Sequence, residues 1–386
     1  MKAEEVNKIK SYLQLHESEM VDLLKSLVNM ETPSNSVLSQ KKILTFINNE
    51  LETLNYYCIK VNGKKTGGYL YARPKNRNKS LPIQLLVGHC DTVWPVNTLK
   101  EMPITSDKGT ITGPGIYDMK VGLTQMVFAI KAIHELKINL NVTPIVLINS
   151  DEEIGSYEST SAIQRLASIS DRAFILEPPL GLEGKLKTAR KGVGQFKITV
   201  KGKAAHAGLD PGKGINAIVE LSHQIQKLYA MNDPSKGITV NVGMIEGGIS
   251  PNVVAPESKA IIDVRVLNVE DGNNITKKIH ELSPKLDDVE LVIEGGIGRP
   301  PMESTPRNKV LWQKAKEQGS LLGLKLEQAT AGGGSDGNTT SQFTATLDGL
   351  GTPGDGAHAN HEFIFKNKLT ERTALLILLL THESIN

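Results

Sequence analysis

Apolar residues fall at helical spacing through residues 4–30, with Val6, Ile9, Leu13, Met20, Leu23, Leu24, Leu27 and Val28 on one side. Pro33 ends that stretch. Residues 38–54 predict another helix, with Ile43, Leu44, Ile47, Leu51 and Leu54 inward. The period then shortens. Strand-like pieces fall near 57–61 and 69–73, and the apolar run from Ile83 to Val87 stops at Gly88. A short run of this kind, β-branched at its end, predicts a buried strand. Thr143–Asn149 and Ala173–Leu176 repeat the theme. Between the Ile83–Val87 run and Thr143–Asn149 a helix is expected from Met119 onward, with Leu123, Met126, Val127, Ile130 and Ile133 inward.

The texture changes near residue 190. Lys191 to Val200 alternates polar and apolar, as half-buried antiparallel strands do. A helix over 215–229 presents Ile215, Ile218, Ser222, Ile225 and Tyr229, and strands follow near 238–245, 259–266 and 289–294. The order β-α-β-β-α-β is that of a ferredoxin-like insert. From about Pro300 the α/β texture resumes, with a helix near 310–319 and a leucine-rich tail helix near 370–382. The expected fold is therefore an α/β domain with a mixed, mostly parallel sheet, built from 1–187 and 301–386. An α+β domain, 188–300, is inserted into it.

Bulk properties narrow the function. The 386 residues suggest two domains. With 39% hydrophobic and 22% charged residues the composition is that of a soluble globular protein. A net charge of +2, with scattered Lys and Arg, gives no field to draw in nucleic acid or an anionic membrane. Two distant cysteines, Cys58 and Cys90, are no disulfide framework and read as small buried hydrophobes. The start has no apolar h-region, and the run Ala374–Leu380 is too short to span a bilayer, so a cytoplasmic protein is expected.

The strand ends carry the chemistry. The first apolar run is followed by Gly88-His89-Cys90-Asp91, the second by Ser150-Asp151-Glu152-Glu153, the third by Glu177-Pro178-Pro179. Ligands in open α/β sheets sit at such carboxyl ends. Consecutive acids there need a cation or a raised pKa. His89 alone is evenly balanced between a metal ligand and a polar turn. Asp118, in Gly113-Pro114-Gly115-Ile116-Tyr117-Asp118-Met119-Lys120, reads from its own residues as a helix N-cap. Three strands stopping at His-x-Asp, Glu-Glu and Glu, with Asp118 nearby, argue together for a metal centre. Gly332-Gly333-Gly334-Ser335-Asp336-Gly337 lacks phosphate-loop spacing and reads as a turn lining a cleft.

These four motifs, in order and spacing, resemble the M20 metallopeptidases, and most closely the glutamate carboxypeptidase members. The likeness runs over nearly the whole chain. It implies a di-zinc exopeptidase-type catalytic domain and an inserted dimerisation domain. His89 and Glu177 would bind one zinc, Glu153 and His358 the other, and Asp118 would bridge both; cobalt or manganese could replace zinc. Glu152 would be the general base, and Asp91 would hydrogen-bond the other nitrogen of His89 and fix its tautomer. The resemblance also implies a peptide bond after Asp118 that is often cis. In Gly356-Ala357-His358-Ala359-Asn360-His361-Glu362-Phe363, His358 stands four residues before a Glu and fits the family pattern; His361 is the minority alternative.

In the insert, His206 would enter a partner subunit's active site and stabilise the oxyanion, which implies a homodimer. Asn252 and Arg265 match substrate-contacting positions, although a surface ion pair competes as the role of Arg265. Gly333 and Gly334 would let backbone approach the substrate. The activity implied is hydrolysis of an amide next to a free carboxylate, with a small peptide or N-acyl amino acid as substrate. An N-acyl amino acid deacylase is the runner-up. An inactive binding protein on this fold is the third reading, and the presence of Glu152 argues against it.

Overall fold

A computed structural model describes residues 3–385. Two compact units make up the chain. The first holds the chain up to Thr188, Ser304–Thr330 and the chain from Ser335 on; the second holds Ala189–Glu303 and Ala331–Gly334. The short segment Ala331–Gly334 thus groups with the second unit, whereas the sequence pattern assigns everything after 300 to the first.

In the first unit a six-stranded sheet runs in the order Tyr56–Val61, Tyr69–Pro74, Thr143–Asn149, Ile83–His89, Arg172–Ile175, Ala345–Leu347. The last four are mutually parallel. The first two are antiparallel to their neighbours, so the sheet is mixed. Ile83–His89 and Thr143–Asn149 are buried along their whole length, as continuous apolar sequence requires of strands covered on both faces. Alternation divides them: Leu86 and Cys90 join the core under the long helices, while Ile83, Leu85 and Val87 pack with Ala162, Ile163 and Ala167 on the other face. Cys90 is therefore a core residue on the side opposite His89.

The helix Val121–Glu135 packs against the tail helix Lys366–Thr381. From Leu375 to Leu380 the tail helix is buried at every position, each leucine contributing ~2 kcal/mol of burial. Gly122 lets the first of these helices start hard against the sheet, since a Cβ there would lie 2.1 Å from the Leu176 carbonyl oxygen. That contact sets Asp118, just before the helix, beside Glu177, just after the strand. The N-terminal periodicity resolves into two helices, Ala3–Leu15 and Glu17–Asn29, with the break at His16.

The second unit is an antiparallel sheet in the order Thr239–Gly247, Glu257–Val266, Gly192–Lys201, Glu290–Arg299, with helices Ala217–Tyr229 and Val269–His280. Its connectivity is β-α-β-β-α-β. The helix face expected from Ile218 and Tyr229 is corrected: both are exposed, and the buried side is Ala217, Glu220, Leu221, Gln224 and Leu228. Glu220 hides that face in the sequence. Its carboxylate is buried because it accepts the backbone N–H groups of Lys285 and Leu286. Among the described residues no helix is long and apolar enough to cross a membrane.

Candidate metal centre

Parallel strands place their carboxyl ends side by side, and Ile83–His89, Thr143–Asn149 and Arg172–Ile175 are neighbours in the sheet. The loops that follow them bring His89, Glu152 and Glu153, and Glu177 to one edge. His89 Nε2 lies 3.2 Å from Asp118 Oδ1 and 3.4 Å from Glu177 Oε1. His358 Nε2 lies 3.2 Å from Glu153 Oε2 and 3.6 Å from Asp118 Oδ2. The two oxygens of Asp118 thus face two imidazoles, one each, and each imidazole has a further carboxylate of its own. His89, Glu152 and Glu177 also present donor atoms within 4.8 Å of one another, so Glu152 stands at the edge of the same cluster. His361 is exposed, and none of these close pairs involves it.

The donors fit divalent cations. Each half of the cluster offers one imidazole nitrogen and carboxylate oxygens, the set that borderline metals such as zinc take. Glu153 Oε1 is buried without a hydrogen-bond partner, a costly arrangement that a cation would relieve. The electrostatics agree. Burial pulls His89 down, but hydrogen bonds to Asp118, Asp91 and Glu177 outweigh it and hold its pKa well above the ordinary value. The hydrogen bond to Glu153 raises His358 to about 9, against its partial burial. Burial raises Asp118, yet the two imidazoles win and lower it; burial wins at Glu153 and raises it. The cluster draws positive charge onto both imidazoles, and an incoming cation would displace those protons.

Asp118 is not a helix cap. Its φ of −117° and ψ of 96° are extended, and the regular helix begins at Val121. The Asp118–Met119 bond is cis. The loop is held from outside by Glu362, whose carboxylate accepts the N–H groups of Gly115, Tyr117 and Asp118 at 2.8, 2.8 and 3.0 Å, and the Trp94 indole N–H at 2.9 Å. Burial pushes Glu362 up to about 7 against these donors. Sequence reasoning used Glu362 only as a marker for His358. An acid at a fixed distance after the ligand was the available signal.

Asp91 is corrected in one respect. His89 Nδ1 lies 2.9 Å from the Asp91 carbonyl oxygen and 3.5 Å from its carboxylate, so the backbone makes the closer contact. The carboxylate accepts the Ser34 hydroxyl at 2.8 Å and the N–H groups of Glu152 and Glu153, both at 3.2 Å. Asp91 therefore holds the Glu152–Glu153 loop as well as His89. Asp336, which the sequence pattern leaves in a turn, is buried and accepts the Asn149 amide at 2.7 Å and the Ser156 hydroxyl at 2.5 Å. It braces the far side of the same loop.

The remaining candidates lie in the second unit. His206 is exposed, and its Nδ1 accepts the N–H groups of Gly208 and Leu209, which leaves the ring proton on Nε2. The Asn252 carbonyl accepts the N–H of Ala207, next to His206, and Asn252 Oδ1 accepts the Ser250 hydroxyl. Arg265 grips Asp263 with Nε and Nη2 at 2.8 and 2.9 Å, the ion pair that competes with a substrate role. The carbonyls of Gly333 and Gly334 accept from buried Arg190, and a Cβ on Gly333 would meet nothing within 4 Å.

A histidine–carboxylate cluster stands on the carboxyl edge of a mixed α/β sheet, with a further acid beside it, and its donor set is one that could hold metal ions. Residues 188–288 match the family described as peptidase dimerisation domain, M20 type. The chain is 29% identical over 350 residues to carboxypeptidase G2 of a Pseudomonas species, covering 88% of this chain and 83% of that protein. Among solved structures it is similar to the aminopeptidase PepT of Bacillus cereus, with TM-score 0.77 and 21% identity over 95% of this chain and 98% of the other. It is also similar to a Bacillus subtilis protein described as a dinuclear metal binding peptidase of the M20 family, with TM-score 0.72 and 16% identity over 95% and 98%. By sequence likeness and by fold the chain is similar to the M20 metallopeptidases.

Proposed function

We propose that this chain hydrolyses an amide bond adjacent to a free carboxylate, as a carboxypeptidase or dipeptidase, with two zinc ions at the centre. The observation that carries the reading is the geometry of Asp118: each of its oxygens faces a different imidazole, and each imidazole has its own second carboxylate. His89, Glu177 and Asp118 would hold one ion; His358, Glu153 and Asp118 the other. Such a pair supplies Lewis acidity toward water and toward the scissile carbonyl.

The chain's own groups do the rest. Glu152 takes a proton from the attacking water as the C–O bond forms, and gives it to the nitrogen as the C–N bond breaks. Asp91 fixes the backbone from which Glu152 projects. Its grip on the N–H groups of Glu152 and Glu153 sets base and ligand in one register. Glu362 does the same for Asp118 from the opposite side. Asn252, Arg265, Gly333 and Gly334 are assigned to the substrate, the fork of Arg265 suiting an α-carboxylate once it exchanges Asp263 for it.

The test is a hydrolysis panel of dipeptides ending in Glu, Gly or Leu, together with N-acetyl amino acids, on enzyme with and without chelator. Turnover of at least one class, lost on chelation and restored by zinc, is expected. Turnover that survives chelation contradicts the reading.

The dimerisation-domain match supports a homodimer, and the tautomer of His206 supports a hydrogen-bond donor to a developing oxyanion. His206→Ala should lower kcat without releasing metal. Mixed with a Glu152→Gln chain it should regain activity, because a hybrid dimer has one site with both residues intact. No recovery on mixing would remove His206 from the partner's site.

A further inference from the structure

Glu177 sits between two carbonyls, and both are met from the segment that carries Asp118. One residue before Glu177, the Leu176 carbonyl oxygen lies so close to Gly122 that a Cβ there would come within 2.1 Å. Two residues after it, the Pro179 carbonyl accepts the Tyr117 hydroxyl at 2.7 Å. Tyr117 directly precedes Asp118. Asp118 and Glu177 are also the two acids that approach His89 Nε2, at 3.2 and 3.4 Å. Their backbones are thus joined on both sides of Glu177.

The residue types explain why a side-chain donor is needed here. Pro178 and Pro179 have no N–H, so this stretch offers its neighbours carbonyls alone. Both prolines and Tyr117 are buried, and a buried carbonyl left without a donor is costly. The Glu177 carbonyl is taken by the Gly351 N–H at 2.9 Å, and that of Gly184, where the stretch ends, by Arg372 Nη2 at 2.8 Å. Tyr117 reaches the Pro179 carbonyl between them from a fixed base. Its ring joins the main core, and Glu362 accepts its backbone N–H at 2.8 Å. In the other half of the cluster a different group serves: Asp91 accepts the Glu153 N–H.

We propose that Tyr117 is a positioning residue of the His89 half. Its hydroxyl fixes the spacing of the Asp118 and Glu177 carboxylates, and so sets how tightly that position holds a divalent cation, while the His358 half is set independently. Asp118 itself stays anchored by Glu362 when the hydroxyl is removed, which confines the effect to Glu177. This rests on the two-metal reading above and adds to it a residue that is no ligand.

The experiment compares the full-length parent with Tyr117→Phe, which keeps the ring and loses the donor alone. Crystals of each, equilibrated in zinc buffers of stepped free concentration, give the occupancy of each position from its anomalous peak. The variant should need about tenfold more free zinc to half-fill the position at His89 and Glu177, with the position at His358 and Glu153 unchanged. In solution, competition with a chromogenic chelator should show one release step moved and the other fixed. A residue that merely stabilises the fold would move both steps or neither. Equal shifts at the two positions, or none, would overturn the proposal and leave the two-metal reading intact. A single peak in the parent would overturn both.

Discussion

Glu152→Gln is expected to keep both metals and to lower kcat by ~10²–10⁴-fold, the span that a positioned general base contributes. Gln keeps the volume of Glu and can still accept a hydrogen bond, but it cannot carry a proton from water to the leaving nitrogen. The loop should not collapse. Its backbone N–H groups at 152 and 153 are held by Asp91, and Asp336 braces Ser156 and Asn149 on the far side. Metal content and kcat should therefore separate: metal analysis unchanged, single-turnover rate collapsed. A variant that lost one metal would make Glu152 a ligand, which its proximity to His89 and Glu177 leaves geometrically open. A variant within tenfold of the parent would take the base role away from it.

Asp118→Ala should have the other large effect, and on a different observable. Each oxygen of the Asp118 carboxylate faces a different imidazole. Its loss removes a ligand from each half and leaves His89 and His358 without the group that joins them. Metal retention after dialysis should fall for both positions together, and activity by more than the ~10–100-fold typical of losing an outer partner of a ligand. Glu177→Ala should instead weaken only the His89 position. Equal, independent effects of the two variants on a single bound ion would show that Asp118 bridges nothing.

Much of this site can be read along the chain, because its parts are local. A buried strand shows as a short apolar run, and the residue after it is at the sheet's carboxyl edge by construction. His89, Glu153 and Glu177 stand just past such runs. The bridging role proposed for Asp118 is less visible. Its neighbours suggest a helix cap, and only the M20 resemblance points to a ligand there; the backbone at Asp118 is extended. What holds Asp118 is remote: Glu362 reaches back over more than two hundred residues to three N–H groups that the irregular turn offers it. Asp336 is hidden for the same reason, being one acid after a run of glycines whose partners Asn149 and Ser156 are distant in sequence. The insert shows the converse failure. Apolar periodicity over 215–229 selects Ile218 and Tyr229 as core, while a satisfied buried carboxylate, Glu220, occupies the real inward face. Periodicity counts apolar residues and cannot see that a charge has found its donors.

The central claim is a two-metal centre with Asp118 shared between its halves. Anomalous diffraction at the zinc edge, from crystals of the zinc-loaded enzyme, tests it most directly. Two peaks are expected per chain, one within bonding distance of His89 and Glu177, the other of His358 and Glu153, with an oxygen of Asp118 on each and Glu152 on neither. A single peak, or a second peak that Asp118 does not reach, would contradict the account.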